Sequence, residues 1–180
     1  MILLGRDSEG RNGGRGVPDF QEGSRQQLVS QGIELDAKFR LDELMQPALP
    51  LTLRGNLGLY RSQVSGVPGP NNRIDSQPRL SANLGADWKL ASLPLTLGAN
   101  LNVVPGYTVQ QSDTQSQGVE TTRVLDGYAL WQLQPGARLR LSLSNIVPRN
   151  YVTTASVLAS GQDQVTVSNG PSYRVVSLRL

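Results

Sequence analysis

Apolar and polar residues alternate strictly along much of this chain. Ile33, Leu35, Ala37, Phe39 and Leu41 interleave with Glu34, Asp36, Lys38 and Arg40, which gives one strand two unlike faces. The pattern returns at Leu49, Leu51, Leu53, Gly55, Leu57 and Leu59, and again at Leu80, Ala82, Leu84, Ala86, Trp88 and Leu90. A fourth segment uses Leu95, Leu97, Ala99, Leu101 and Val103. A fifth, less regular, uses Leu125, Ala129, Trp131 and Leu133; a sixth uses Ala137, Leu139, Leu141 and Leu143; the last is Val176, Leu178 and Leu180. Leu favours helix by intrinsic propensity. A helix, however, would scatter these leucines around its circumference, whereas a strand gathers them on one side. The predicted fold is all-β, an antiparallel up-and-down meander of about seven strands.

The connections alternate short and long. Tight turns are expected near 42–48, 91–94 and 134–136, and polar loops near 64–78, 105–120 and 148–171, so all the tight turns fall at one end of the meander and all the long loops at the other. At the tight-turn end, Phe39, Trp88 and Trp131 each stand on the apolar face just before the chain reverses, and LPLTL opens the following strand at 49–53 and again at 93–97. In a membrane these aromatics form an interfacial girdle; in a soluble sheet they would be core. The ten residues from Leu49 to Leu59, at about 3.3 Å each and a tilt near 40°, rise roughly 25 Å, the height of the apolar band of an outer-membrane barrel. The opposite face carries Arg, Asp, Glu, Lys, Asn, Ser and Thr, too many polar groups for a dry core. The sheet is therefore expected to be an incomplete part of a transmembrane β-barrel.

Composition narrows the chemistry. The 180 residues include 19 Gly and 11 Pro, too many breakers for a helix bundle, and no Cys or His. That removes disulfides, thiolate and imidazole metal ligands, Cys nucleophiles and His-based triads. A net charge of +3 is too small to imply nucleic acid without a concentrated patch. No run of about 18 apolar residues predicts a transmembrane helix, and Met1–Leu4 is too short and too soon followed by charge for a signal peptide.

Several segments, taken in order, resemble the carboxyl-terminal barrel strands of a TonB-dependent outer-membrane receptor of Gram-negative bacteria. They are GIELDAKFRLDEL at 32–44, YRSQVSGVPGPNNRIDSQPRLSANLGADWKL at 60–90, PLTLGANLNVVPGYTVQ at 94–110 and DGYALWQLQPGARLRLSLSNIVPRNY at 126–151. The resemblance covers residues 26–180, with 1–25 expected to be a flexible loop or a non-native amino-terminal segment. It implies a 22-stranded barrel filled by a plug, outer-membrane localisation, and uptake of a scarce nutrient, with a ferric siderophore as the expected substrate. The implied partners are outer-membrane lipid, the remainder of the barrel and the plug, and TonB acting through an amino-terminal part. Seven strands do not close such a barrel. The chain is expected to be a fragment lacking plug and TonB box, with a small self-assembling protein as the other possibility.

Among candidate groups, Glu34 and Asp36 share a face with Lys38 and Arg40, and paired carboxylates are a general acid/base arrangement. A hydrogen-bonded ladder on a wet wall, joined by Arg54, Asp87 and Lys89, is the stronger reading. Arg138, Arg140 and Arg179 form a potential cationic stripe toward an anionic solute. GVPGPNNR at 66–73 lacks the Lys-Ser/Thr of a phosphate loop and reads as a stiff outer turn. GRDSEGRNGGRG at 5–16 is diluted by Asp7 and Glu9 and lacks aromatics for RNA. Tyr107, Tyr151 and Tyr173 stand in the outer loops, but no substrate-contacting residue is assigned. No catalytic residue, cofactor or metal site is expected, and the chain is not expected to be an enzyme. The competing function is a soluble β-sheet module binding carbohydrate or another ligand; a hydrolase would require Glu34 and Asp36 to converge in a pocket.

Overall fold

The computed structural model describes residues 27–44 and 49–180. The segment 1–25, with its arginine-glycine stretch, and residues 45–48 of the first turn lie outside the described residues. Eleven strands and one helical turn follow one another: β1 (Leu28–Arg40), α1 (Leu41–Leu44), β2 (Leu51–Val64), β3 (Leu80–Lys89), β4 (Leu95–Val104), β5 (Tyr107–Gln110), β6 (Gln115–Val119), β7 (Thr122–Gln134), β8 (Ala137–Ser144), β9 (Tyr151–Ala159), β10 (Gln162–Gly170) and β11 (Val175–Arg179).

The seven segments predicted from alternation build one antiparallel sheet in the order β1-β2-β3-β4-β7-β8-β11. Its registers keep the two faces separate across the pairs, apart from an irregularity between Gln132 and Gln134 where β7 meets the start of β8. Leu57 stands opposite Leu35 and Ala82, Leu84 opposite Leu101, and Leu101 opposite Leu125. On the other face Asn56 stands opposite Asp36 and Asn83, and Asn100 opposite Asp126. A slip of one residue at any pair would mix the two sets, so the leucine rows themselves select the register.

The sheet has an apolar face on which no second layer packs among the described residues. Among the described residues Val109 is the only buried apolar side chain, at 2% exposure, while Leu35, Leu84, Leu97 and Leu141 are exposed. Phe39, Trp88 and Trp131 are 54%, 45% and 46% exposed, so they are not core. They also share a level. Following directly opposed residues from Phe39 through Leu53 leads to Ala86, and on through Ala99 to Gly127. Trp88 lies two residues past Ala86 after two strand steps, and Trp131 four past Gly127 after four, a stagger of one residue per strand. One rise of about 3.3 Å per strand spacing of about 4.8 Å corresponds to a tilt of roughly 35°, within the range of membrane barrels. Strands so tilted put the three rings at one height along the membrane normal, which is the geometry of an interfacial girdle.

The long connections at 105–120 and 148–171, expected to be loops, contain four strands. β5, β6, β9 and β10 form a second sheet in the order β10-β9-β6-β5, which repeats β11-β8-β7-β4 strand for strand. The wall therefore continues past the apolar band and bends at 105–106, 120–121, 145–150 and 171–174. The bends are stitched by Gly106 N donating to Thr121 Oγ1 at 2.9 Å and Asn145 N donating to Asp126 Oδ1 at 2.8 Å. Asn145 itself takes a φ of 53°, a left-handed conformation that Asn tolerates. Its amide donates to Tyr173 O at 3.1 Å, and the Arg174 guanidinium donates twice to Ile146 O, at 3.0 and 2.8 Å. Alternation of leucine was the wrong signal for this sheet. QSQGV and QDQVTVSNG are wet on both faces, so backbone pairing and β-branched residues make them strands without an apolar side.

Candidate functional site

The polar face of the main sheet is concave and lines an open trough of about 970 Å³. Its side chains satisfy one another across strands. Asn56 Nδ2 donates to Asp36 Oδ1 at 2.8 Å, Asn102 Nδ2 to Asn83 Oδ1 at 2.7 Å, and Tyr60 Oη to Glu34 Oε1 at 2.6 Å. Arg54 and Asp87, both expected on this face, pair with each other at 2.7 Å, and the Tyr128 hydroxyl donates to the same carboxylate at 2.7 Å. This last bond spans a whole strand. Tyr128 stands on β7 and Asp87 on β3, and between them β4 presents Gly98, opposite both. A Cβ at Gly98 would overlap the Tyr128 ring, so only glycine leaves room for the ring to lie across β4.

The candidate carboxylates are thus drawn apart into separate structural bonds. Glu34 is held by Tyr60 and Asp36 by Asn56, and they do not converge on a shared pocket. Arg40, the last residue of β1, turns its side chain to Asp42 and Glu43 of α1, each at 2.8 Å, rather than to the ladder. The hydrogen bond from Arg40 holds the Asp42 carboxyl below its ordinary range despite partial desolvation. Among the described residues Lys38 and Lys89 make no ion pair.

The three arginines of the predicted stripe do not act as one group. Arg138 is occupied, its Nε donating to Gln132 Oε1 at 2.9 Å. Arg140 lies over the Tyr128 ring, 4.3 Å from its centroid, and donates from Nε to Ser142 Oγ at 3.1 Å. Arg179 stands directly opposite Arg140. Both line the trough, with Lys38, Asp36 and Asp126 on its other parts. Sequence reasoning missed Tyr60 and Tyr128. Their signal is parity: both occupy the polar face, with Gly32, Gly58 or Gly98 opposite or two residues away, whereas only outward aromatics were followed.

At the outer end the connection 65–79 folds over the polar face of β1 and β2. Ile74 N donates to Ser62 Oγ at 3.0 Å and Gln77 Nε2 to Ser30 Oγ at 3.2 Å, both serines belonging to the inward set. Asn71 O also accepts from Gln110 N of β5 at 2.8 Å. The stiff turn predicted at 66–73 thus ends in Arg73, which is buried to 6% exposure and donates to Tyr60 O at 3.2 Å, with Nη1 lacking any protein partner. Burial lowers the Arg73 pKa and raises that of the neighbouring Tyr107 phenol. Tyr151 and Tyr173 are exposed beside the bends. Among the described residues no group of three acidic side chains has the geometry of a metal site.

Comparison with known proteins agrees with this wall. The family model described as TonB dependent receptor-like, beta-barrel matches residues 2–160. No match to a curated protein or to a solved structure was found.

Proposed function

From the premise that this chain belongs to the TonB-dependent receptor β-barrel family, whose members are outer-membrane transport receptors, we propose that it is a wall segment of a transporter taking up a scarce nutrient, a ferric siderophore. One observation carries the reading: the seven-stranded sheet separates a continuous apolar face, with three aromatics at one level, from a hydrogen-bonded polar face. A lipid-facing strand wall with an aqueous side has that partition, and a soluble sandwich would cover its leucine rows with a second sheet. Outer-membrane lipid is then the partner of the leucine rows. The edges of β1 and β11, which pair on one side only among the described residues, are the places where further strands complete the barrel. A plug filling the lumen and TonB acting on that plug supply the energised step. The wall itself contributes no reaction; its part is to hold polar side chains facing the path.

The chain contains no Cys, so single cysteines report each face cleanly. Introduced at Leu57 or Leu101 they should react in lipid vesicles only with a membrane-confined maleimide. At Asn56 or Asn102 they should react with a charged, water-soluble one. Equal protection of the leucine positions from both reagents would mean a second protein layer and would overturn the membrane reading. The substrate is tested separately, by growth of the source cells on ferric siderophores under iron limitation with and without the gene. Unchanged uptake of every ferric chelate would remove iron while leaving the wall intact.

A further inference from the structure

We propose that Arg140 and Arg179, with Arg140 carried on the Tyr128 ring, form a carboxylate-binding fork on the polar wall. The inference rests on the reading of this face as luminal. Two like charges directly opposite on neighbouring strands destabilise a sheet, yet Arg140 and Arg179 are paired in register. Among the described residues neither has an ion-pair partner, and Asp87, which holds the Tyr128 hydroxyl, is paired with Arg54. The two carboxylates that line the trough are each hydrogen-bonded elsewhere in the wall, Asp36 by Asn56 and Asp126 by Asn145 N, and neither is within ion-pair distance of Arg140 or Arg179. Four cationic side chains, Lys38, Arg54, Arg140 and Arg179, line the trough with two carboxylates, Asp36 and Asp126, and this excess of positive charge favours an anion from elsewhere.

Arg140 is also held in place before any ligand arrives. Its ring contact and its Nε bond to Ser142 fix the guanidinium plane, and neither uses the two terminal nitrogens. The ring below is fixed in turn by the Asp87 bond and the notch at Gly98. Tyr128 is therefore a positioning residue. A guanidinium whose terminal donors are free and whose plane is set matches the two oxygens of a carboxylate, and little side-chain freedom is lost on binding. The carboxylate belongs either to a passing solute or to an Asp or Glu side chain of a segment lying in the lumen.

The test uses the whole chain in detergent micelles, observing arginine Nε–Hε signals by NMR, with retention of the Arg54 signal as the mark of a folded wall. The probes are tricarballylate, a free tricarboxylate, and the peptide Gly-Asp-Gly-Asp-Gly. Arg140 and Arg179 should shift together and saturably with at least one probe, while Arg138 stays still. Arg140→Gln and Arg179→Gln should each weaken binding about tenfold or more. Arg140→Lys, which keeps the charge and loses the fork, should weaken it nearly as much. Saturation by tricarballylate assigns the fork to a solute, and by the peptide alone to a wall contact; either sustains it. No saturable shift, an equal shift at Arg138, or an Arg140→Lys variant that binds like the parent would overturn it. If cysteine labelling confirms the two faces and this titration fails, the fork alone falls; if labelling fails, the luminal reading falls with it.

Discussion

Gly98 and Tyr128 show how one missing side chain organises a wall. The ring occupies the space above Gly98 that any Cβ would take, and so reaches Asp87 two strands away while Arg140 stacks on its other face. Gly98→Ala should displace the ring, break the hydroxyl bond and release Arg140. The expected loss is about 1–3 kcal/mol, the usual scale for disturbing a packed hydrogen-bonded group. Gly85→Ala is the control: its Cβ would meet nothing nearer than Asn100 Oδ1 at 3.4 Å, so a change within about 0.5 kcal/mol is expected. Denaturant unfolding of both variants in micelles checks the contrast, and equal midpoints would show that the Tyr128 shelf contributes nothing. Such a contact was hidden in the sequence because it joins residues 98, 128 and 87, whose proximity depends on register rather than on spacing along the chain.

At the scale of elements, the connection between β2 and β3 behaves as a folded piece. Asn72 Nδ2 donates to both Val64 O and Val67 O at 3.1 Å, while Asn72 O accepts from Val64 N at 2.9 Å. These bonds close the connection on itself and hold it against the polar side of β1 and β2. Removing the amide in Asn72→Ala forfeits two hydrogen bonds, about 1–2 kcal/mol locally. Local opening governs proteolysis when reclosing is fast. Trypsin should therefore cut after the exposed Arg79 at least about fivefold faster, with the global unfolding midpoint nearly unchanged because the strand ladders are untouched. An unaltered cleavage rate would mean that the serine contacts at Ser62 and Ser30 hold the connection by themselves. The Gly and Pro in this stretch marked a turn correctly. Its direction, inward over the wall, comes from hydrogen bonds to residues more than ten positions away.

The whole molecule is a wall with unlike faces, and its stability in lipid should depend on which face is altered. Leu84 and Leu101 are directly opposed on β3 and β4, about four to five residues of rise above the aromatic level and hence near mid-bilayer. Leu84→Arg should cost about 2–4 kcal/mol in lipid vesicles. Asn83→Arg, one residue away on the trough side, should cost far less because its guanidinium stays in water. Urea titrations of vesicle-inserted protein distinguish the two, and equal destabilisation would contradict a lipid-facing leucine row. The outer strand β10 of the bent upper sheet is exposed along its whole length, and it should be insensitive to such changes.

Periodicity alone decided the seven main strands, their two faces, the alternation of tight turns with long connections, and the outward aromatics, because a strand's side-chain period is local and does not depend on what it packs against. That Arg54 and Asp87 share the polar face was also legible from the alternation; their pairing with each other was not. Only the tertiary structure decided that the outer connections carry strands of their own, that Arg40 pairs with the helical turn, that Glu34 and Asp36 have different partners, and that within the expected stripe Arg138 is engaged by Gln132 while Arg140 and Arg179 make no ion pair among the described residues. Those features follow from which residues on different strands come to stand side by side, and hydrogen-bond register between distant segments sets that.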